Sequence, residues 1–153
     1  MKKTTQAMLA ASLILAALNA PVQADDSKEK AIEYRQAVFN VVGWNFKPMG
    51  AMVKGEKAFD AAAFARMADN VAFMSKLAGE GFIPGSDSKA GETKTKDEAW
   101  AKMDDFKSKM ADFEKASAEL ASTAKGGDLK AIKPVFGKVA ETCKSCHKAY
   151  RED

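Results

Sequence analysis

The sequence predicts an all-α fold, an antiparallel four-helix bundle. Three observations carry that prediction. Apolar residues recur at spacings of three and four through four separate segments, period-two alternation is absent, and Ala, Lys, Met and Glu, which helices favour, are abundant. Four amphipathic helices with short or moderate connections bury their stripes by packing antiparallel around a shared core.

The first helix is expected over about residues 27–55. Ile32, Phe39, Phe46 and Val53 follow one another by sevens, with Val42 and Met49 between them, so one continuous stripe faces the partners. Pro48 interrupts it. A proline inside a helix costs about 3 kcal/mol and kinks it, which predicts a bend rather than two helices. The second helix runs from Asp60, its N-cap, to Ala78, with Gly79 as its stop and Phe64, Met67, Val71, Met74 and Ala78 as its stripe. Residues 79–94, with Pro84 and many Gly, Ser and Lys, read as a long loop that Phe82 and Ile83 tuck onto the body. Thr95-Lys96-Asp97-Glu98 reads as a capping box opening the third helix. Its face is Ala99, Met103, Phe106, Met110, Phe113, Ser117 and Leu120, and it ends before Gly126-Gly127. Asp128 caps the fourth, which carries Ile132, Phe136, Val139, Cys143, Cys146 and Tyr150 at helical spacing, with Pro134 bending its first turns.

Ahead of the bundle, Lys2 and Lys3 precede an apolar run from Ala7 to Leu18, and Val22-Gln23-Ala24 offers small residues before a cut. Residues 1–24 therefore read as a secretory signal peptide, which implies export. The run is shorter than the roughly 20 apolar residues of a membrane span, so no membrane attachment is expected after cleavage. Removing 24 of the 153 residues leaves one domain, residues 25–153. The leader holds two lysines and no acid, so the formal charge falls from +3 to +1. Basic and acidic residues alternate along the chain, which argues against a nucleic-acid surface. No acid–base pair is arranged for catalysis, and the chain reads as a binding protein rather than an enzyme.

CKSCH, residues 143–147, holds both cysteines and the only histidine. A disulfide between Cys143 and Cys146 would close a tight local loop and staple almost nothing. A redox dithiol needs a strand–helix setting that the all-helical pattern lacks. A structural zinc site wants four ligands, and the segment has three. The remaining reading is attachment of one haem c. Each thiol adds across one vinyl group of the porphyrin, and His147 supplies the proximal nitrogen to the iron.

A second strong-field ligand would make such a haem a low-spin electron carrier, whereas an open position takes a small gas. Met49, Met52, Met67, Met74, Met103 and Met110 are available, but methionine at helical spacing is usually core filler. Arg35 falls on the heptad line of Val42 and Met49, a charge inside an apolar stripe. It either snorkels from the stripe's edge or binds an anionic haem propionate through two hydrogen bonds. Tyr34, Trp44 and Trp100 are expected to be structural.

The leader, the four helices and CKSCHKAYR closing the last helix together resemble cytochrome c′ across essentially the whole chain after the leader. EYRQAVFNVV in the first helix extends the likeness, with Arg35 at the position of the family's propionate-binding arginine. The resemblance implies a homodimer in the periplasm whose first helices cross at the interface. It also implies a five-coordinate, high-spin haem with His147 as the only axial protein ligand. Phe39 stands where six-coordinate relatives place a methionine, and would cover the distal face. Nitric oxide is then the expected ligand, with carbon monoxide hindered by Phe39. The resemblance further implies that nitric oxide can break the His147 bond and finish on the proximal face. Arg151 matches the family's basic residue there; read on its own it is a solvated terminal charge. The alternative is a periplasmic electron carrier with a six-coordinate haem and an unknown redox partner. Its candidate ligands, Met49 and Met52, lie about 15 Å down the helix from Phe39.

Overall fold

The computed structural model describes residues 22–152, which form five helices: α1 Val22–Lys54, α2 Ala61–Leu77, α3 Glu98–Ala101, α4 Met103–Ala124 and α5 Leu129–Tyr150. The expected leader lies outside the described residues except for its last three, which begin α1. Among the described residues no helix is long and apolar enough to cross a membrane.

Local chemistry explains most boundaries. α1 continues through Pro48 as a single helix, held by the burial of Met49 and Met52 just beyond it. At the start of α2 the Asp60 carboxylate accepts from Ala63 N at 2.9 Å, and at the start of α5 the Asp128 carboxylate accepts from Lys130 N at 2.9 Å. Each satisfies a backbone donor that a helix start leaves open. Gly127, at φ +67°, makes the reversal between α4 and α5 in a region that favours glycine.

The third expected helix is the exception. It is split into α3 and α4 by Lys102, whose backbone at φ −122° and ψ 45° is not helical. No capping box forms. Thr95 instead makes an isolated antiparallel bridge with Arg151, and the Asp97 carboxylate accepts from the backbone and hydroxyl of Ser88. The competing partner is distant in sequence. Lys96 N donates to Tyr150 O at 2.9 Å and Glu152 N to Lys94 O at 2.8 Å, so residues 94–96 pair with the chain that follows α5.

α1 packs on α2, α2 on α4 and α4 on α5, each neighbour antiparallel to the last, and α5 returns to meet α1. The core has two tiers. The lower one gathers Val42, Met49, Phe64, Val71, Phe113, Leu120, Ile132 and Val139. The upper one is smaller, with Ala99, Phe106 and Tyr150 buried and Phe82, Trp100 and Met103 packed against them.

Residues 78–97 form a strap over the upper end of α1. Tyr34 donates to Glu80 at 2.7 Å and Gln36 to Glu92 O at 2.9 Å. Gly81 lies so close to α1 that a Cβ there would sit 2.7 Å from both Ala31 O and Arg35 Cβ. Gly81→Ala is therefore expected to cost about 3 kcal/mol, because neither the helix backbone nor its Cβ can yield. Thermal unfolding should show the midpoint falling by about 10 °C. A midpoint equal to that of the unmodified chain would mean the strap is not seated on α1.

Candidate functional site

Cys143 and Cys146 lie three residues apart on α5, so their side chains leave the same face of the helix. Cys143 packs against the lower tier and Cys146 against the upper. The pair therefore stands at the junction of the two clusters. Both are free thiols, and burial raises their pKa values, which keeps them protonated at neutral pH. His147 is partly buried. Burial, then the charge of Arg151, lowers its pKa, so the imidazole is neutral and keeps a lone pair for a metal.

The level of these residues on α1 follows from one contact. Phe46 stacks on Phe136, with ring centroids 4.3 Å apart and planes at 9°, and pins the two antiparallel helices together. Seven residues back along α1 and seven on along α5, a rise of about 10 Å, bring Phe39 level with Cys143. Eleven residues each way bring Arg35 level with His147. Met49 and Met52 lie on the far side of the Phe46 contact, fully in the lower tier.

Arg35 is 2% exposed. Its Nη1 donates to Gly81 O at 3.0 Å, Ser86 O at 2.8 Å and Ser86 Oγ at 3.0 Å, and its Nη2 to Thr93 Oγ1 at 3.0 Å. The guanidinium carbon lies 4.8 Å from the ring centre of Phe82 and 5.2 Å from that of Trp100. It does not snorkel. Burial pushes its pKa down to about 10, partly offset by Asp87, so the group stays charged at neutral pH. Among the described residues no carboxylate forms an ion pair with it. Nε and the second Nη2 hydrogen are left for another acceptor.

Phe39 meets Phe82 edge-on at 6.4 Å. Phe82 touches Phe106 at 4.5 Å, and Phe106 meets Tyr150 edge-on at 5.4 Å. Aromatic rings thus run from α1 to the end of α5. The Tyr150 hydroxyl donates to Asp105 on α4, and that bond, with burial, raises its pKa to about 12. Arg151 follows α5 directly, is exposed, and donates its N–H to His147 O at 3.0 Å. Sequence reasoning missed the part played by Phe82 and Trp100 around Arg35, and by Ser86 and Thr93 as its acceptors. All but Trp100 lie on the strap, where no period marks a residue as inward-facing.

Two surface grooves among the described residues stand out. The larger, about 500 Å³, lies between α1 and α2 beside Pro48, Met52, Arg66 and Met67, and holds neither cysteine nor histidine. The smaller, about 230 Å³, lies between α2 and α4 and is walled by Phe82, Met103, Phe106 and Met110 of the upper tier. The residues fit a haem. Two thiols and a neutral imidazole occur together at an apolar junction, and level with them is a buried cation whose spare donors suit an anionic propionate.

The family model described as Cytochrome C′ matches residues 30–151. A cytochrome c′ from Allochromatium vinosum is 34% identical over 154 residues, covering 99% of both chains. The solved cytochrome c prime from Shewanella frigidimarina is 48% identical, covers 82% of this chain and 97% of its own, and superposes with a TM-score of 0.79. A nitric oxide complex of the L16A mutant of cytochrome c prime from Alcaligenes xylosoxidans is 31% identical, covers 82% of this chain and 96% of its own, and gives 0.75.

Proposed function

The chain belongs to the cytochrome c′ family, which binds covalent haem c, and from that premise we propose that it is a periplasmic protein that binds nitric oxide at a five-coordinate haem iron. Cys143 and Cys146 would hold the ring through two thioether bonds, and His147 would ligate the iron. Arg35 would take a propionate on its spare N–H donors. Bound haem supplies a ferrous iron with a position for a diatomic gas. The related protein from Alcaligenes xylosoxidans, solved as a nitric oxide complex, supports that ligand.

The observation that carries the reading is the level of Phe39. It stands opposite Cys143 with an aromatic ring that has no lone pair to offer, backed by Phe82. The ring fills space on the α1 side without occupying a coordination position, which disfavours carbon monoxide there. On the other side the exposed charge of Arg151 lies near enough to depress the His147 pKa, which supports its placement beside the proximal face. Electron transfer through a six-coordinate iron would need a methionine from α1 near this level. Met49 and Met52 lie below Phe46 in the lower tier, which counts against that reading. The test is the absorption spectrum of the dithionite-reduced protein, alone and with each gas. A broad high-spin spectrum that changes with nitric oxide is expected; a sharp low-spin spectrum unmoved by either gas would replace gas binding with electron transfer.

α1 also supplies the surface for a homodimer. Tyr34, Val41 and Trp44 share its outer face, and Trp44 is 82% exposed; Phe73 on the neighbouring α2 is 60% exposed. Large aromatics left in water at helical spacing mark an interface. Trp44 is thus an interface residue rather than core. Trp44→Glu is expected to weaken the dimer about thirtyfold or more, read by sedimentation equilibrium. An unchanged dissociation constant would place the interface elsewhere.

A further inference from the structure

α5 ends three residues after His147, at the point where a helix leaves its last carbonyls without partners and frays most easily. Here the strap caps it. Tyr150 O accepts from Lys96 N, Glu152 N donates to Lys94 O, and Thr95 bridges to Arg151. The middle one of those three strap residues, Thr95, is itself held by Thr93. Its Oγ1 accepts from Thr95 N at 3.1 Å and from Arg35 Nη2 at 3.0 Å, so both lone pairs are in use. Gln36 on α1 holds the preceding residue through Glu92 O.

We propose that Thr93 is a positioning residue that holds the His147 end of α5 in register with Arg35. This deepens the haem reading and rests on it for the role of His147. The physical path is short. Arg35 is fixed by burial and by four hydrogen bonds. Thr93 transmits that position to Thr95, and the bridge and backbone hydrogen bonds of residues 94–96 fix residues 150–152. Their backbone sets where the last turn of α5, with His147 in it, comes to rest. An acceptor oxygen with two lone pairs is required, because it receives a guanidinium and a backbone N–H together, and the Thr93 hydroxyl supplies one.

The test uses the haem-loaded protein and Thr93→Val, which keeps the shape and removes both acceptor sites. Hydrogen exchange of peptides covering residues 94–96 and 150–152 should quicken about tenfold, the effect of losing a hydrogen bond to a charged group. The iron–histidine stretching band in the resonance Raman spectrum of the ferrous protein should shift. Thr93→Ser should restore both, and Thr123→Val, at a hydroxyl on α4 that bonds within its own helix, should change neither. Thr93→Ala serves if the valine variant does not accumulate. Exchange at the unmodified rate overturns the proposal, and so does faster exchange with an unmoved band. Intact mass separates this from the wider reading. A chain without covalent haem sinks both, whereas covalent haem with unchanged exchange or band sinks only the role of Thr93.

Discussion

The Cys143→Ala/Cys146→Ala double variant is expected to release all of its haem into acidified acetone, while the unmodified chain releases none. The sequence has no other cysteine, so no second pair of thioethers can form. What remains in the variant, His147 and Arg35, binds reversibly, and acid protonates the imidazole. Each single variant should keep its haem through one bond. Fold stability should fall little from the substitutions themselves, since both cysteines are only partly buried. Haem that stayed with the double variant through acid acetone would mean attachment at another residue type, and the motif would lose its meaning.

Phe39→Ala should raise carbon monoxide affinity about hundredfold, the scale on which an apolar pocket discriminates by shape. The ring lies level with Cys143 and is braced edge-on by Phe82, so it cannot swing aside without disturbing the rings behind it. Removing it opens the α1 side of the junction. Nitric oxide should gain less if, as the family resemblance implies, it finishes on the His147 side, away from Phe39. The same change should cost about 2 kcal/mol of stability, less than a fully buried phenylalanine, since Phe39 is only partly buried. Carbon monoxide titration of the ferrous protein reads the first effect and thermal unfolding the second. Affinity equal to that of the unmodified chain would remove Phe39 as a gate.

What the sequence disclosed follows from what is local. Asp60 and Asp128 cap helices because a carboxylate two or three residues before an open N–H is all that a cap requires. The stripes of α1, α2, α4 and α5 are legible because burial repeats with the turn of the helix. Thr95 misled because its backbone is taken by Arg151, more than fifty residues away, and no period records such a pairing. Lys102 ends α3 without Gly or Pro to announce it. Arg35 was visible as an anomaly, a charge in an apolar line, yet its acceptors at Gly81, Ser86 and Thr93 come from a strap whose path over α1 depends on the glycine at 81. The two cysteines and the histidine were legible as chemistry. Their place between two clusters was not, because it depends on how α4 and α5 divide the core.

That division bears on the order in which the protein matures. The lower tier draws on α1, α2, α4 and α5 and, among the described residues, holds most of the buried apolar side chains of the bundle. The upper tier has only three buried residues of its own, one of them Tyr150 at the end of α5. A new chain would therefore be expected to close its lower half first and leave the upper half breathing, with both thiols reachable for joining to a porphyrin. The ring, once joined, adds the apolar mass that the upper half lacks. On that order the bundle would be completed from the lower tier upward, and the last part to become rigid would be the part that holds the haem.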